Sequence, residues 1–164
     1  MPAVFGEISE HRIVELAEEK EQMFRDAFDP QEHLVSGFVD FLNALKEYEI
    51  KLVVATSAPA DNAVHILEGL NITDCFDQVL NSSHVTKSKP DPEPYLKAGK
   101  AVSADLKNCI VFEDSISGVQ SGLNAGAKVV GVATTHTHNE LSNCHLVIDD
   151  FEELEVDEIE KLLV

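Results

Sequence analysis

Cysteines and basic residues are few in this chain, and long hydrophobic runs are absent. The three cysteines, Cys75, Cys109 and Cys144, are odd in number and lack C-x-x-C spacing, which predicts reduced thiols in a cytoplasmic protein. No stretch approaches the roughly 18 apolar residues of a membrane-spanning helix. Residues 1–6 also lack the basic start and apolar segment of a signal peptide. These absences favour a soluble, untargeted protein.

Basic residues are outnumbered, with 12 against 30 acidic residues and a formal net charge of -18. A field of this sign repels nucleic acid and anionic membranes, so neither is expected as a partner. It would also repel a phosphorylated substrate. Any phosphate chemistry in this chain therefore requires a local lysine, backbone N–H groups and a bound divalent cation.

The chain has 164 residues, enough for one compact domain with a core of its own. Short apolar runs that suit buried parallel strands alternate with helical patterns. The runs lie at residues 50–55, 109–112, 128–132 and 146–148. Helical patterns begin at Ser36, 58, 93 and 115, and an acidic helix at 152–164 closes the chain. This alternation predicts an α/β fold with a doubly wound, Rossmann-like parallel sheet.

The first 32 residues differ from the rest. Apolar residues recur at helical spacing between Ser9 and Phe28, with Ser9 as the expected N-cap, and no strand pattern accompanies them. We therefore expect a helical lid or its remnant over residues 1–32 and an α/β core over residues 33–164.

Polar residues follow three of the predicted strands or precede their helices, and ligands of open α/β sheets bind where strands end. The first group is Thr56-Ser57. A hydroxyl pair at the start of a helix can bind a phosphate oxygen together with free backbone N–H groups. Capping of the helix by either hydroxyl is the alternative, and for this pair taken alone it is the more common role.

The second group centres on Lys89, which is followed by prolines at positions 90, 92 and 94. Prolines at alternating positions stiffen an extended loop ahead of a helix. A lysine held on such a loop can neutralise a phosphate that carboxylates would otherwise repel. The alternative is a solvated surface lysine before a proline-rich turn.

The third group is Glu113-Asp114, two adjacent carboxylates at the end of a buried strand. Oxygen ligands on a rigid strand end suit Mg²⁺, which takes one or two carboxylates and completes its shell with water and phosphate oxygens. The alternative is that Asp114 caps the next helix and Glu113 is a surface charge.

Together the three groups resemble the second, third and fourth motifs of the haloacid dehalogenase superfamily. Within it they are most similar to the sugar-phosphate phosphatases and β-phosphoglucomutases. The resemblance extends from about Leu34 to the C-terminus and includes residues 123–127 and 131–134. It implies that Thr56 and Ser57 bind the transferred phosphate, that Lys89 bridges phosphate and nucleophile, and that Glu113 and Asp114 bind Mg²⁺. The substrate it implies is a small phosphorylated metabolite.

The superfamily's first motif, an N-terminal Asp-x-Asp that supplies the nucleophile, has no counterpart here. No two aspartates of this sequence lie two positions apart. Residues 5–28 resemble the closing helices of the family's cap, so the resemblance implies a chain that starts inside the cap and lacks the first core strand. Without that strand, either the sheet has a gap at its centre or the strands ending at Ala55 and Phe112 pair directly. Truncation explains one contiguous loss better than gradual decay of the site.

Two hypotheses follow from this departure. The chain is the core of a magnesium-dependent phosphatase or phosphomutase, without turnover by itself, or it is a catalytically silent binding domain. In the second case self-association or a strand from a partner would complete the sheet. The hydrolase and mutase alternatives share the same core residues and stay open.

Three other readings have less support. The spacing of His136, His138, Cys144 and His145 matches no familiar structural zinc site. A dinucleotide fold is disfavoured because no G-x-G-x-x-G follows a strand. A cysteine nucleophile is disfavoured because Cys109 starts a buried strand and Cys75 adjoins Phe76, which indicates packing.

Overall fold

A computed structural model describes residues 9–164 as helices alternating with short parallel strands. The helices are α1 (Glu10–Ala27), α2 (Phe38–Glu47), α3 (Ala60–Gly69), α4 (Glu93–Ala101), α5 (Ile116–Ala125) and α6 (Val156–Glu160). The strands are β1 (Val53–Ala55), β2 (Gln78–Leu80), β3 (Ile110–Glu113), β4 (Lys128–Val132) and β5 (Leu146–Ile148). The predicted α/β class with parallel strands is confirmed. No helix in this part of the chain is long and apolar enough to cross a membrane.

Most predicted elements are present, with shifts at their ends. β4 and β5 have the predicted bounds, Ser9 caps α1 by accepting from the Arg12 backbone N–H at 3.2 Å, and Gly126 ends α5 with φ of 84°. The expected helix over residues 152–164 is wrong in extent, because α6 spans Val156–Glu160 and a 3-10 turn follows. The strand β2 has no counterpart among the predicted strands.

The strands form two sheets that are not hydrogen-bonded to each other. β1 pairs with β2, and β4 lies between β3 and β5, all in parallel. Among residues 9–164, β1 and β3 each have a hydrogen-bonded strand on one edge only. This break is one of the two arrangements expected for a core without its first strand.

Two hydrophobic clusters hold the sheets side by side. The first centres on the aromatic rings of Phe41, Phe112 and Phe151, whose centroids lie 5.5–5.7 Å apart. The second contains Tyr95, Val111, Val119, Val129 and Leu141. Val54 and Phe112 pack against the first cluster, Ala55 packs against the second, and Val111 is a member of the second. Both β1 and β3 therefore contribute to both cores.

Helix α1 is solvent-exposed by comparison and contributes no buried residue. It contacts α3 through Asn62, which accepts from the Arg25 guanidinium at 2.7 Å and donates to Glu21 at 2.6 Å. Ile13 and Met23 on this helix are 51% and 70% exposed. Residues 1–8 of the expected lid lie outside the described residues, so the lid boundary stays a prediction.

Candidate functional site

The end of β3 places two carboxylates at the start of α5. Glu113 is the last residue of β3 and is only 8% exposed, while Asp114 follows it directly. Ser115 is the N-cap of α5, and its hydroxyl accepts from the Gly118 backbone N–H at 3.1 Å. The alternative roles were Asp114 as the helix cap and Glu113 as a surface charge. Both are wrong, since Ser115 is the cap and Glu113 is buried.

The buried Glu113 carboxylate is surrounded by donors. Lys89 forms an ion pair with its Oε1, and the Tyr95 hydroxyl donates to the same oxygen. The Ser115 hydroxyl donates to Oε2 at 3.1 Å. The Lys89 and Glu113 side chains are 12% and 7% exposed. A carboxylate this far from water stays charged only where such partners replace its hydration.

Gly118 leaves the room that the Glu113 carboxylate occupies. A Cβ built on Gly118 would overlap the Glu113 carboxyl group. Gly118 is a helical residue, so its role comes from this close approach and not from backbone freedom. The small residue in the turn after β3 therefore lets helix α5 start against the buried acid.

The loop before α4 places Lys89 next to Glu113. Hydrogen bonds to Glu93 hold this loop against the start of α4. The Glu93 carboxylate accepts from the Thr86 N–H at 3.0 Å, the Thr86 hydroxyl at 2.8 Å and the Lys87 N–H at 2.8 Å. Lys97 lies 2.6 Å from it. Hydrogen bonding by Lys97, followed by the bonds from Thr86, lowers the pKa of Glu93 to about 2. Lys89 is not the solvated lysine of the alternative interpretation.

The same loop is also tied to α5. The Ser121 hydroxyl donates to the Asp91 carbonyl at 2.6 Å, and the Asn124 amide donates to the Pro90 carbonyl at 3.1 Å. Ser121 is fully buried. The Lys89 loop and the Glu113-Asp114 strand end are thus joined through one helix.

Asp114 is half-buried and contacts the loop after β4. The Thr135 hydroxyl is 3.0 Å from its backbone carbonyl and 3.3 Å from its Oδ2, and His136 Nδ1 is 3.0 Å from the same carbonyl. Thr135 and His136 follow β4, the strand next to β3. The loop after β4 therefore borders the acidic pair.

Thr56 and Ser57 follow β1 as predicted, and neither caps α3. The Thr56 N–H donates to the Leu80 carbonyl at 2.9 Å, and its Oγ1 accepts from the Ala58 N–H at 3.0 Å. The N-cap of α3 is Pro59, without a side-chain capping bond. Ser57 is exposed. Capping, the more common role for this pair, is thus wrong.

The candidate residues fall into two groups. Lys89, Glu113 and Asp114 are adjacent, whereas no hydrogen bond in residues 9–164 joins Thr56 or Ser57 to them. Helix α4 links the groups, since it contacts β1 and its Tyr95 lies in the same hydrophobic cluster as Ala55.

Three residues of the site carry no functional signal in the sequence: Tyr95, Gly118 and Thr135. The S-K-P-D-P-E-P-Y block contains Tyr95, but its pattern indicates only a helix start. Gly118 lies in a small-residue segment after the acidic pair, which indicates only a turn into a helix. No local signal distinguishes Thr135 from the neighbouring polar residues of its loop.

The carboxylates of Glu113 and Asp114 are the candidate ligands for Mg²⁺. Residues 9–164 contain no group of three or more histidines, cysteines, aspartates or glutamates placed to hold a metal ion. Glu113 and Asp114 alone still fit Mg²⁺, which binds through one or two carboxylates and otherwise keeps water and phosphate oxygens. Because Glu113 already accepts from several donors, Asp114 offers the freer oxygens.

The histidines and cysteines considered as alternatives have other contacts. His138 pairs with Asp149 at 2.9 Å, and His145 Nδ1 accepts from the Val129 N–H at 3.1 Å. Burial raises the pKa of Cys144 and of Cys109 above the usual range. Raised pKa values keep these thiols protonated and weakly nucleophilic.

Comparison with known proteins agrees with this geometry. The profile of the family described as "Haloacid dehalogenase-like hydrolase" matches residues 5–132. A HAD hydrolase of family IA, variant 3, from Entamoeba histolytica superimposes with a TM-score of 0.85 at 34% identity, covering 96% of this chain and 73% of that one. β-Phosphoglucomutase from Clostridium difficile gives a TM-score of 0.83 at 27% identity, with 95% and 69% covered.

A curated relative is a phosphorylated carbohydrates phosphatase from Thermotoga maritima, 34% identical over 116 residues. The match covers 70% of this chain and 52% of the relative. The chain spans about half the length of the curated relatives it matches.

Proposed function

The chain belongs to the haloacid dehalogenase-like hydrolase family, and on that premise we propose that it provides the phosphate-binding and Mg²⁺-binding part of a phosphoryl-transfer site. The substrate is a small phosphorylated metabolite such as a sugar phosphate. Support comes from relatives named as a phosphorylated carbohydrates phosphatase, a 6-phosphogluconate phosphatase and a β-phosphoglucomutase. These names include both phosphatases and a mutase, and the residues proposed here serve either reaction.

The buried Lys89–Glu113 pair beside Asp114 is the observation that carries the proposal. A lysine and two carboxylates at one strand end are the groups that phosphate and a divalent cation require. Lys89 would neutralise the phosphoryl group, and Glu113 with Asp114 would hold Mg²⁺. The cation, when bound, supplies positive charge to the phosphate oxygens.

Thr56 and Ser57 complete the proposed phosphate site. The Thr56 Oγ1 accepts one backbone N–H, which leaves its proton for a phosphate oxygen, and the Ser57 hydroxyl faces solvent. The following α3 begins with backbone N–H groups that no side chain caps. Hydroxyl and N–H donors at a helix start suit an anion. They would also offset the repulsion expected from the net charge of -18.

The nucleophile is the group that this sequence does not supply. Covalent catalysis by a carboxylate requires an aspartate aimed at phosphorus, and no Asp-x-Asp pair occurs in the 164 residues. We therefore propose that these residues alone bind ligands without turning over substrate.

Phosphate release is the direct test. The purified chain should release no inorganic phosphate from a panel of sugar phosphates in the presence of Mg²⁺. Asp114→Asn and a chelator provide the controls that identify a contaminating enzyme. Turnover that both controls abolish would overturn the proposal of inactivity.

A second candidate function is that of a silent interaction domain. It is favoured by the edges of β1 and β3 that have no pairing strand within residues 9–164, because such edges readily pair with another strand. The strand would come from a second copy or from a partner chain. Light scattering across a concentration series tests self-association, and a strictly monomeric chain would remove that form of the proposal.

A further inference from the structure

Tyr95 contacts both members of the buried ion pair through two different parts of its side chain. It is the third residue of α4 and is 7% exposed. Its hydroxyl donates to Glu113 Oε1, the oxygen that Lys89 also contacts. The Lys89 Nζ lies 5.0 Å from the centroid of its ring. One rigid side chain therefore touches the cation and the anion together.

We infer that Tyr95 is a positioning residue that fixes the Lys89 ammonium and the Glu113 carboxylate relative to each other before any ligand binds. The position of the pair follows from the contacts themselves, while its use for phosphate and Mg²⁺ rests on the proposed function.

The chemistry of the three groups supports this role. A lysine ammonium sits on a flexible four-carbon stem, and an aromatic face within about 6 Å attracts it and restricts its position. A buried tyrosine hydroxyl needs a partner, and Glu113 Oε1 accepts its hydrogen bond. The Tyr95 hydroxyl and ring therefore restrict the two charged groups at the same time.

Partners that orient a metal-binding carboxylate affect the affinity of the metal. Loss of such a partner typically weakens metal binding by about 10–100-fold. Tyr95 has the geometry of such a partner for Glu113, and Thr135 has it more weakly for Asp114 at 3.3 Å.

The chain offers a matched pair of variants, because Tyr48 and Tyr95 are its two tyrosines. Tyr95→Phe removes the hydroxyl and keeps the ring, and Tyr48→Phe makes the same change at a residue that is 55% exposed. The first readout needs no metal: acetylation of Lys89, followed by mass spectrometry. Lys87, 69% exposed, is the internal standard.

In wild type and Tyr48→Phe, Lys89 should be acetylated far more slowly than Lys87. In Tyr95→Phe the Lys89 rate should rise toward that of Lys87, because the carboxylate that holds the ammonium is no longer fixed. An unchanged Lys89 rate in a folded Tyr95→Phe protein would overturn the inference.

A second variant covers the case in which Tyr95→Phe does not fold. In the Tyr48→Phe background Tyr95 is the only tyrosine of a chain without tryptophan. Adding Glu113→Gln should increase its fluorescence, because an ionised carboxylate no longer quenches the ring. Unchanged emission would contradict the contact.

The metal readout separates the inference from the proposed function. Mn²⁺ binding, followed by electron paramagnetic resonance and competed with Mg²⁺, should weaken about tenfold or more in Tyr95→Phe and stay unchanged in Tyr48→Phe. If wild type binds no Mn²⁺, the proposed metal site fails while acetylation still decides the role of Tyr95. If wild type and Tyr95→Phe bind Mn²⁺ equally, the positioning role toward the metal fails alone.

Discussion

The two groups of the proposed site lie at the ends of β3 and β1. The protein buries and hydrogen-bonds the group at β3 much more than the group at β1. At β3, Glu113 is 8% exposed and is held by Lys89, Tyr95 and Ser115. At β1, Thr56 accepts a single backbone hydrogen bond and Ser57 is exposed. The difference follows from charge, because a buried carboxylate must be compensated by the protein whereas a hydroxyl can remain hydrated until a ligand arrives.

The supporting sheets differ in the same way. β3 lies beside β4, whose Val129 and Val130 are completely buried. β1 belongs to the two-stranded sheet, and all of its residues are only half-buried. The β3 side is therefore expected to hold its geometry in the absence of ligand, and the β1 side is expected to depend on what binds beside it.

Removal of Lys89 should have the largest effect on stability. A small effect would contradict the conclusion that the β3 side is held more firmly than the β1 side. Lys89→Met leaves the buried Glu113 charge without its cation, which should lower the free energy of unfolding by about 3–5 kcal/mol. Urea denaturation followed by circular dichroism measures it. Lys87→Met is the matched control and should change stability by less than about 0.5 kcal/mol, because Lys87 is exposed.

The double variant Lys89→Met/Glu113→Gln tests the cause of that loss. Removal of both charges should recover much of the stability lost in Lys89→Met. A double variant as unstable as Lys89→Met would show that the methionine side chain, and not the unpaired charge, causes the defect.

Gly118→Ala should have the next largest effect. The added methyl group would overlap the Glu113 carboxylate, so either the acid or the start of α5 must move. Overpacking of this kind costs about 1–3 kcal/mol, measured by the same denaturation experiment. Ser117→Ala, at the exposed neighbouring position of α5, serves as the control and should be close to neutral. Equal stabilities for the two variants would contradict the close approach.

Thr56→Val should sharpen the comparison from the β1 side. It removes the acceptor for the Ala58 N–H at a part-buried position, and such a loss costs about 1 kcal/mol. The variant should also weaken binding of inorganic phosphate, measured by ³¹P nuclear magnetic resonance. Ser57→Ala should leave stability unchanged because Ser57 is exposed. If Thr56→Val lowered the free energy of unfolding as much as Lys89→Met, the β1 and β3 sides would not differ in how firmly they are held.

The sequence predicts the helices, most of the strands and the residues at their ends, since these depend on local periodicity and capping. No local pattern predicts β2, because Gln78–Leu80 is only three residues long and mixes an exposed glutamine with a buried leucine. The contact of Tyr95 with Glu113 joins α4 to β3 across 18 positions. Such contacts depend on how elements pack, which no local pattern reports. No local pattern reports the role of Gly118 either, because that role depends on the contact between α5 and the Glu113 carboxylate.

Acid titration of the Lys89 loop should show the smallest effect. The folded-state pKa of Glu93, about 2, lies below its ordinary value of 4.5. A lowered pKa stabilises the fold above the ordinary value, and the contribution is lost as pH falls from 4.5 through 2. The stability difference between wild type and Glu93→Gln should therefore be constant at neutral pH and shrink below 4.5.

Nuclear magnetic resonance of the Thr86 and Lys87 amides reports the same ionisation, since both donate to Glu93. Their shifts should titrate near 2 in wild type and nearer 4.5 in Lys97→Met, because Lys97 is the largest contributor to the lowered pKa. A wild-type midpoint near 4.5 would mean that Glu93 does not fasten the loop. Lys89 would then be held by Glu113 and Tyr95, and its loop by the bonds from Ser121 and Asn124 of α5.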